Sequence, residues 1–297
     1  MTTPAHPADA RVLGSVGLAI LTCACFAAMD TISQFVVLAG VPVVVSAWGR
    51  YVFQSLLTTA VVLPLRGRRV LQTRHLPFQL LRGGLLVTGT LLFFTSLKYM
   101  QVGELTAIIL LAPVIVTMAG PALFKEQVAP SRWALVLTAF AGTLIIIRPG
   151  GSGFSWVMLL PLAQAVVNAA FQMVTSKLAR TEDPLTTHFY TGWIGAITLT
   201  LVLPYAWTGS PTPGNWLLIA LMGIFGGVGH FVMVLAFRHV AASTLMPYMY
   251  SQIGFAVLFG WLVRGHVPDH WSLIGMAVIA ACGVASAWLS VRESRRA

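Results

Sequence analysis

The stretch from Leu97 to Gly150 reads as an apolar helix broken near Pro113, a short charged loop at Lys125-Glu126, and a second apolar helix closed by Arg148-Pro149-Gly150. A degenerate copy runs from Ala236 to Ser290, with Lys98 answering to Arg238 and Trp133 to Trp271. A two-helix unit repeated about 140 residues apart divides the chain into two similar halves, 1–150 and 151–297.

Composition restricts where such a chain can fold. Charged residues make up 9% and hydrophobic ones 57%, whereas a soluble domain carries about 25% charged residues. The formal charge of +10 suggests nucleic acid as a partner, but the placement of the charges argues against it. Most of the Lys and Arg lie in short gaps between apolar runs, where they orient membrane helices. Cys23, Cys25 and Cys282 lie inside apolar runs without metal spacing, and read as small packing residues.

Ten apolar runs follow one another, near 12–39, 43–65, 76–97, 104–124, 131–148, 154–178, 186–207, 215–237, 241–263 and 269–290. About 20 residues cross a hydrocarbon core. Pro42, Pro77, Pro130 and Pro268 open runs, where a missing N–H costs nothing. The first run has only Arg11 ahead of it and takes part in the repeat, so it is expected to be retained. With the N-terminus in the cytoplasm, 14 Lys and Arg, Arg82 among them, fall on the inner side and Lys98, Arg148 and Arg264 on the outer. That asymmetry places both termini inside. Five helices per half is an odd number, so the halves are expected to be inverted relative to each other. Inverted halves characterise secondary transporters with a site near the midplane.

Polar groups inside the runs mark that site. An ionised residue at a helix centre costs about 2.5–3.5 kcal/mol on insertion scales. Asp30 lies roughly 15 Å below the outer end of the first run and Arg50 roughly 12 Å below the same end of the second. They read either as an ion pair bracing two helices or as groups that meet a charged substrate. Gln164, Asn168 and Gln172 recur at i, i+4, i+8 and place three amides on one face. FAAMD at Phe26–Asp30 aligns with NAAFQ at Asn168–Gln172, an offset of 142, which makes Asp30 and Gln172 symmetry mates. Arg50 pairs roughly with Tyr190. Trp48 and Tyr51 flank Arg50, Tyr99 ends the third run, and Pro247-Tyr248-Met249-Tyr250-Ser251-Gln252 begins the ninth. An aromatic, Met-containing lining suits an amphipathic solute, although aromatics at helix ends also form interfacial belts. His188 and His230 read as hydrogen-bonded packing residues or proton carriers. Gly223 to Gly227 is a small-xxx-small spacing, with packing as the main role and gating at Gly226 and Gly227 as the other. Pro113 and Pro247 are candidate helix breaks.

No phosphate loop, metal-ligand cluster or nucleophile with a plausible base and acid is present in the sequence. An enzyme, a cofactor or a bound metal is therefore not expected. The remaining alternative from another class is a membrane scaffold.

FAAMD, W-x-R-Y at Trp48–Tyr51, LRGGLL at Leu81–Leu86, LLAPVIVT at Leu110–Thr117, KEQVAPSRW, IRPG, GHFVMVLAFRH, YMYSQIGFAVLFGWL and VPDHWSLIGMAVIAACG together carry a family resemblance. The chain resembles the drug/metabolite transporter superfamily of the EamA-domain type, over its full length. Within it the chain is most similar to the bacterial aromatic amino acid exporters. The resemblance implies an all-α integral membrane protein of ten helices around a central cavity, in the bacterial inner membrane, working by alternating access without ATP. It implies export of aromatic and other neutral amino acids. The alternative is an importer or exchanger of another metabolite, such as a nucleotide derivative. Lipids and the small-molecule substrate are the expected partners, and a monomer is compatible with the pattern. The family glutamate after the fourth helix is Glu126. Its second-half counterpart is His266, Arg264 stands before that where an apolar residue is usual, and Gln34 replaces a common lysine. The residues expected to line the cavity are Asp30, Gln34, Trp48, Arg50, Tyr51, Tyr99, Gln164, Asn168, Gln172, Tyr248, Met249 and Gln252.

Overall fold

A computed structural model describes residues 7–123, 130–148, 156–239, 245 and 248–294. Among these the secondary structure is helical, with no strand. The elements are α1 (Pro7–Leu38), α2 (Val43–Arg66), α3 (Leu76–Ser96), α4 (Val102–Ile109), α5 (Ala112–Leu123), α6 (Pro130–Ile147), α7 (Leu160–Thr181), α8 (Pro184–Ala206), α9 (Pro213–His239), α10 (Ser251–Arg264) and α11 (His270–Ser294). Short 3-10 segments cover Gly67–Leu71 and Trp156–Leu159.

Local chemistry sets the ends. Proline opens α3, α7 and α8 at their first or second positions. The Asp183 carboxylate accepts the Leu185 N–H at 2.8 Å and caps α8. Gly265 closes α10 with φ 64, a conformation that costs a glycine little, and His266 N–H returns to Gly260 O at 3.3 Å.

Four helical stretches are long and apolar enough to cross a membrane among the described residues: Leu13–Leu38, Leu76–Ser96, Pro184–Ala206 and Pro213–Arg238. Shorter apolar stretches lie at Val102–Val116, Leu137–Ile147, Ser251–Arg264 and His270–Ala285. The helices α2 and α7 have 24 and 22 residues, enough for roughly 33–36 Å at 1.5 Å per residue. They are long enough but carry polar residues, Arg50 and Gln54 in one, Gln164, Asn168 and Gln172 in the other. In lipid such groups must be satisfied inside the protein. The expected fourth run, 104–124, is two helices, α4 and α5, which part at Leu110–Leu111. Pro113 lies in the first turn of α5, where a missing N–H costs that helix nothing, but it has no N–H to bond back toward Ile109 and so cannot continue α4. Of the ninth run, α10 begins only at Ser251, after a turn at Tyr250. Pro247, Lys125 and Glu126 lie outside the described residues.

The main helix pairs are α1 with α9, α3 with α7, α2 with α8 and α6 with α11. The pairing has a pattern. If α7 answers to α1 and α9 to α3, the pairs α1–α9 and α7–α3 are equivalent, while α2–α8 and α6–α11 pair mates with each other. The helices α2 and α8 run antiparallel. Thr58 meets His188 at 3.0 Å near one end and Trp48 meets Thr200 at 2.9 Å near the other. Glycine permits this approach, since a methyl at Gly192 would sit 2.7 Å from Ser55 Oγ. Likewise α9 lies against α2, where a methyl at Gly223 would meet Phe53 Cβ at 2.8 Å. Gly226 and Gly227 lie within an unbroken α9 and face Arg50 and Gln54. Their part in this structure is close packing, and no hinge is formed there.

Candidate functional site

The helices α1, α2, α3, α7 and α9, together with the α4–α5 junction and the start of α10, surround a cavity. The cavity volume is about 110 Å³. Helical periodicity selects the lining. Phe26, Met29 and Asp30 come from one face of α1, and Leu85, Leu86, Gly89, Thr90, Phe93 and Phe94 from one face of α3. The helix α7 contributes Gln164, Val167, Asn168, Phe171 and Gln172, and α9 contributes His230 and Met233. The break between α4 and α5 presents Thr106, Ile109 and Leu110, and Met249 and Gln252 come from the start of α10.

Arg50 is the charged centre of this lining and is only 2% exposed. Its Nη1 donates to Thr90 Oγ1 at 2.8 Å, and its Nη2 lies 3.3 Å from His230 Nε2. The guanidinium can only donate, so His230 Nε2 accepts and the ring proton sits on Nδ1. Tyr51 shares Thr90 through its hydroxyl at 2.9 Å, and the Arg50 guanidinium lies 4.7 Å from the Tyr51 ring centre. Arg50 Nε has no protein partner. The offset of 140 that relates Lys98 to Arg238 also relates Thr90 to His230. The same guanidinium is thus held by one residue from each half of the chain.

Asp30 accepts from Gln252 Nε2 at 3.1 Å. Asp30 and Arg50 do not form the ion pair that their matching depths suggested. Both line the cavity, but the ion pairs among the described residues are Arg66–Asp183 and Arg148–Asp269, near the helix ends. The two buried charges are each held by neutral partners. Gln164 Oε1 and Gln172 Oε1, both buried, have no protein partner and line the same space. The start of α10 is further fixed by Cys23, whose thiol lies 3.6 Å from Met249 O.

Seven of the expected residues are brought together: Asp30, Arg50, Gln164, Asn168, Gln172, Met249 and Gln252. The other five lie elsewhere. Gln34 is buried and donates to Gln101 Oε1 at 3.0 Å and to Met100 O at 3.3 Å. Trp48 donates to Thr200 and packs edge-on to Trp207 and Trp216 near the first turns of α2. Tyr51 is sealed behind Thr90, and Tyr99 and Tyr248 are exposed. Sequence reasoning missed Thr90 and the phenylalanines of α3. Their 3–4 residue spacing was a usable signal, but leucines share it.

Arg82 is the second correction. It was counted with the inner loops, yet it is 1% exposed inside α3. Its Nε donates to Thr175 Oγ1 at 2.8 Å, and its Nη1 donates to Thr191 Oγ1 and, at 3.5 Å, to Thr187 O.

The model of the EamA-like transporter family matches residues 13–148 and again 155–288. The chain belongs to the EamA-like transporter family. It is thereby a member of the drug/metabolite transporters, a multi-pass membrane protein that moves a small molecule. A relative from Vibrio cholerae serotype O1, named a riboflavin transporter, is 27% identical over 91% of this chain and 92% of its own. A second, from Rickettsia bellii, named an S-adenosylmethionine uptake transporter, is 24% identical over 78% of this chain and 79% of its own. A solved crystal structure shares the fold with a TM-score of 0.68 at 20% identity, over 96% of this chain and 98% of that one. Neither relative's name points to aromatic amino acids, so the similarity to that branch does not extend to a shared named substrate. In this EamA-like transporter the repeat matches coincide with the two sets of helices that build the cavity.

Proposed function

We propose that the cavity is the cargo site of a secondary transporter for a small metabolite with a flat heteroaromatic body, of the flavin type. The observation that carries this reading is the composition of the walls. Phe26, Phe93, Phe94 and Phe171 offer apolar and aromatic surface, while Gln164, Asn168, Gln172 and Gln252 offer amides. A flavin ring presents two apolar faces and an edge of alternating N–H and C=O groups, which amides match in both donor and acceptor sense. The relatives' names, riboflavin and S-adenosylmethionine, belong to molecules that each carry a flat heteroaromatic ring. A second reading, aromatic and other neutral amino acids, is favoured by one feature. Asp30 and Arg50 line one cavity without pairing, which complements a zwitterion.

We take the two halves, 1–150 and 151–297, to be inserted in opposite senses as ten membrane crossings, with both termini in the cytoplasm and alternating access between the halves. The antiparallel run of α2 and α8 and the Lys and Arg asymmetry support this. Transport then proceeds across the inner membrane in the direction of the driving gradient, with export or uptake set by conditions.

Proteoliposome uptake of riboflavin, tryptophan and S-adenosylmethionine, with and without an imposed pH gradient, tests the reading. Saturable riboflavin uptake that unlabelled tryptophan does not compete away is expected. Tryptophan uptake without riboflavin uptake would install the amino-acid reading in its place.

A further inference from the structure

Charge does not balance in the middle of this protein. Two guanidinium groups, Arg50 and Arg82, are 2% and 1% exposed. Among the described side chains Asp30 is the one buried carboxylate; Glu182, Asp183 and Asp269 lie at helix ends, and Glu104 is half-buried, taking a bond from Ser272 Oγ at 2.9 Å. The His230 ring accepts from Arg50 and is neutral in that arrangement, so it adds no positive charge. The buried centre thus carries one positive charge in excess. An unpaired buried charge is costly, and such residues mark substrate or ion pathways.

Asp30 lines the same cavity as Arg50 without bonding to it, whereas Arg82 shares no cavity lining with a carboxylate among the described residues. Every bond it makes is to a hydroxyl or a carbonyl, on Thr175, Thr187 and Thr191, and its Nη2 has no protein partner. It lies just beyond the cavity. Leu85 and Leu86, one turn along α3, are already part of the lining. One ring touches both Arg82 and the cavity. The guanidinium lies 4.7 Å from the centre of Phe171, which itself lines the cavity, and the His230 ring packs edge-on to Phe171 at 5.7 Å.

We propose that Arg82 is an anion subsite beneath the cavity, screened by Phe171, which takes a singly charged oxygen anion of the cargo, a carboxylate, when that ring turns aside. The proposal rests on the cavity being the cargo site and sharpens it, since the preferred cargo then carries one net negative charge on an aromatic body. Thr175 and Thr191 keep the guanidinium oriented without neutralising it. An incoming carboxylate therefore gains a charge-assisted bond in a dry site and has no resident carboxylate to displace.

The test uses the purified full chain in detergent and three probes: riboflavin, the same ring carrying an N10-carboxymethyl group, and indole-3-acetate. Binding is read by the ligand-dependent shift in melting temperature. The wild type is expected to bind the carboxymethyl flavin about tenfold more tightly than riboflavin, the size of one bond to a charged group. Arg82→Gln removes that preference while riboflavin affinity moves less than about threefold, and Arg82→Lys keeps part of it. Phe171→Leu, which leaves Arg82 in place, increases the preference. Equal preference in the wild type and Arg82→Gln, or a general loss of stability with no change in preference, makes Arg82 a brace and overturns the proposal. If neither flavin binds, the flavin reading fails separately. Indole-3-acetate then decides: stabilisation that Arg82→Gln removes keeps the anion subsite, and its absence in the wild type ends it.

Discussion

Phe26–Asp30 of α1 and Asn168–Gln172 of α7 align in sequence at an offset of 142, and Phe26, Asp30, Asn168 and Gln172 all line the same cavity. Their chemistry differs. Where α1 places a ring, α7 places an amide; where α1 places a carboxylate, α7 places an uncharged amide. The comparison separates two kinds of information. Backbone pseudo-symmetry decides which positions see the cavity, since equivalent helices present equivalent faces. Residue type then breaks the symmetry, so a cargo molecule has one preferred orientation. Thr90 and His230 repeat the lesson on Arg50, a hydroxyl from one half and an imidazole from the other.

The comparison can be broken at Arg50, where both halves converge. Arg50→Ala should lower transport by about 100-fold or more, as expected when a buried charged group loses its role in binding, with folded protein still recovered from membranes. Wild-type uptake by this variant would remove Arg50 from the site. Exchanging the mates, Asp30→Gln with Gln172→Asp, keeps the composition and inverts the asymmetry. Cargo affinity should fall about tenfold in a titration against purified protein. An unchanged affinity would mean that orientation does not depend on which half bears the carboxylate. Next is Gly226→Ala. Its methyl would lie 2.8 Å from Met29 Sδ and 3.1 Å from Arg50 Nε. Overpacking of this kind costs about 1–3 kcal/mol, visible as a lower melting temperature. Gly254→Ala, with no neighbour within 4 Å, should be neutral or stabilise by up to about 1 kcal/mol.

The smallest effect lies at the Arg148 end. Donation from Arg148 holds the Asp269 carboxyl down at about 2, with the Ser272 N–H adding to it. A depressed carboxylate contributes stability above its ordinary value near 3.9 and loses it as pH falls through about 2. Both side chains are nearly half exposed, so the pair contributes only about 0.2–1 kcal/mol. Asp269→Asn should shift the melting temperature slightly at pH 7 and hardly at all at pH 2.

The sequence made the charged and amide residues of the cavity visible because polar groups in apolar runs have few tolerable locations. Asp30, Arg50 and the α7 stripe stand out for that reason. It left the phenylalanines of α3 indistinct, since lipid-facing and cavity-facing aromatics obey the same spacing. It misplaced Arg82, because a basic residue six positions into α3, close after Arg74, looks like part of a loop cluster. Trp48, Tyr99 and Tyr248 were drawn in by proximity along the chain, whereas Trp48 packs against Trp207 and Trp216, Tyr99 lies in the turn after α3, and Tyr248 is exposed. The split of the fourth run was signalled by Pro113, but the residues where α4 ends depend on packing against α7 and α10.

Arg50 is held by Thr90, His230 and the ring of Tyr51, none of them negatively charged. A receptor benefits from a site whose grip is as strong as possible. A carrier works by turnover, and a molecule held too firmly never leaves. Because no carboxylate must first be pulled off the guanidinium, capture has no exchange step to wait for. Because three neutral partners remain in place afterwards, the guanidinium keeps its own contacts when the cargo departs. The same few hydrogen bonds that make this arginine available to cargo also make it easy to give the cargo up.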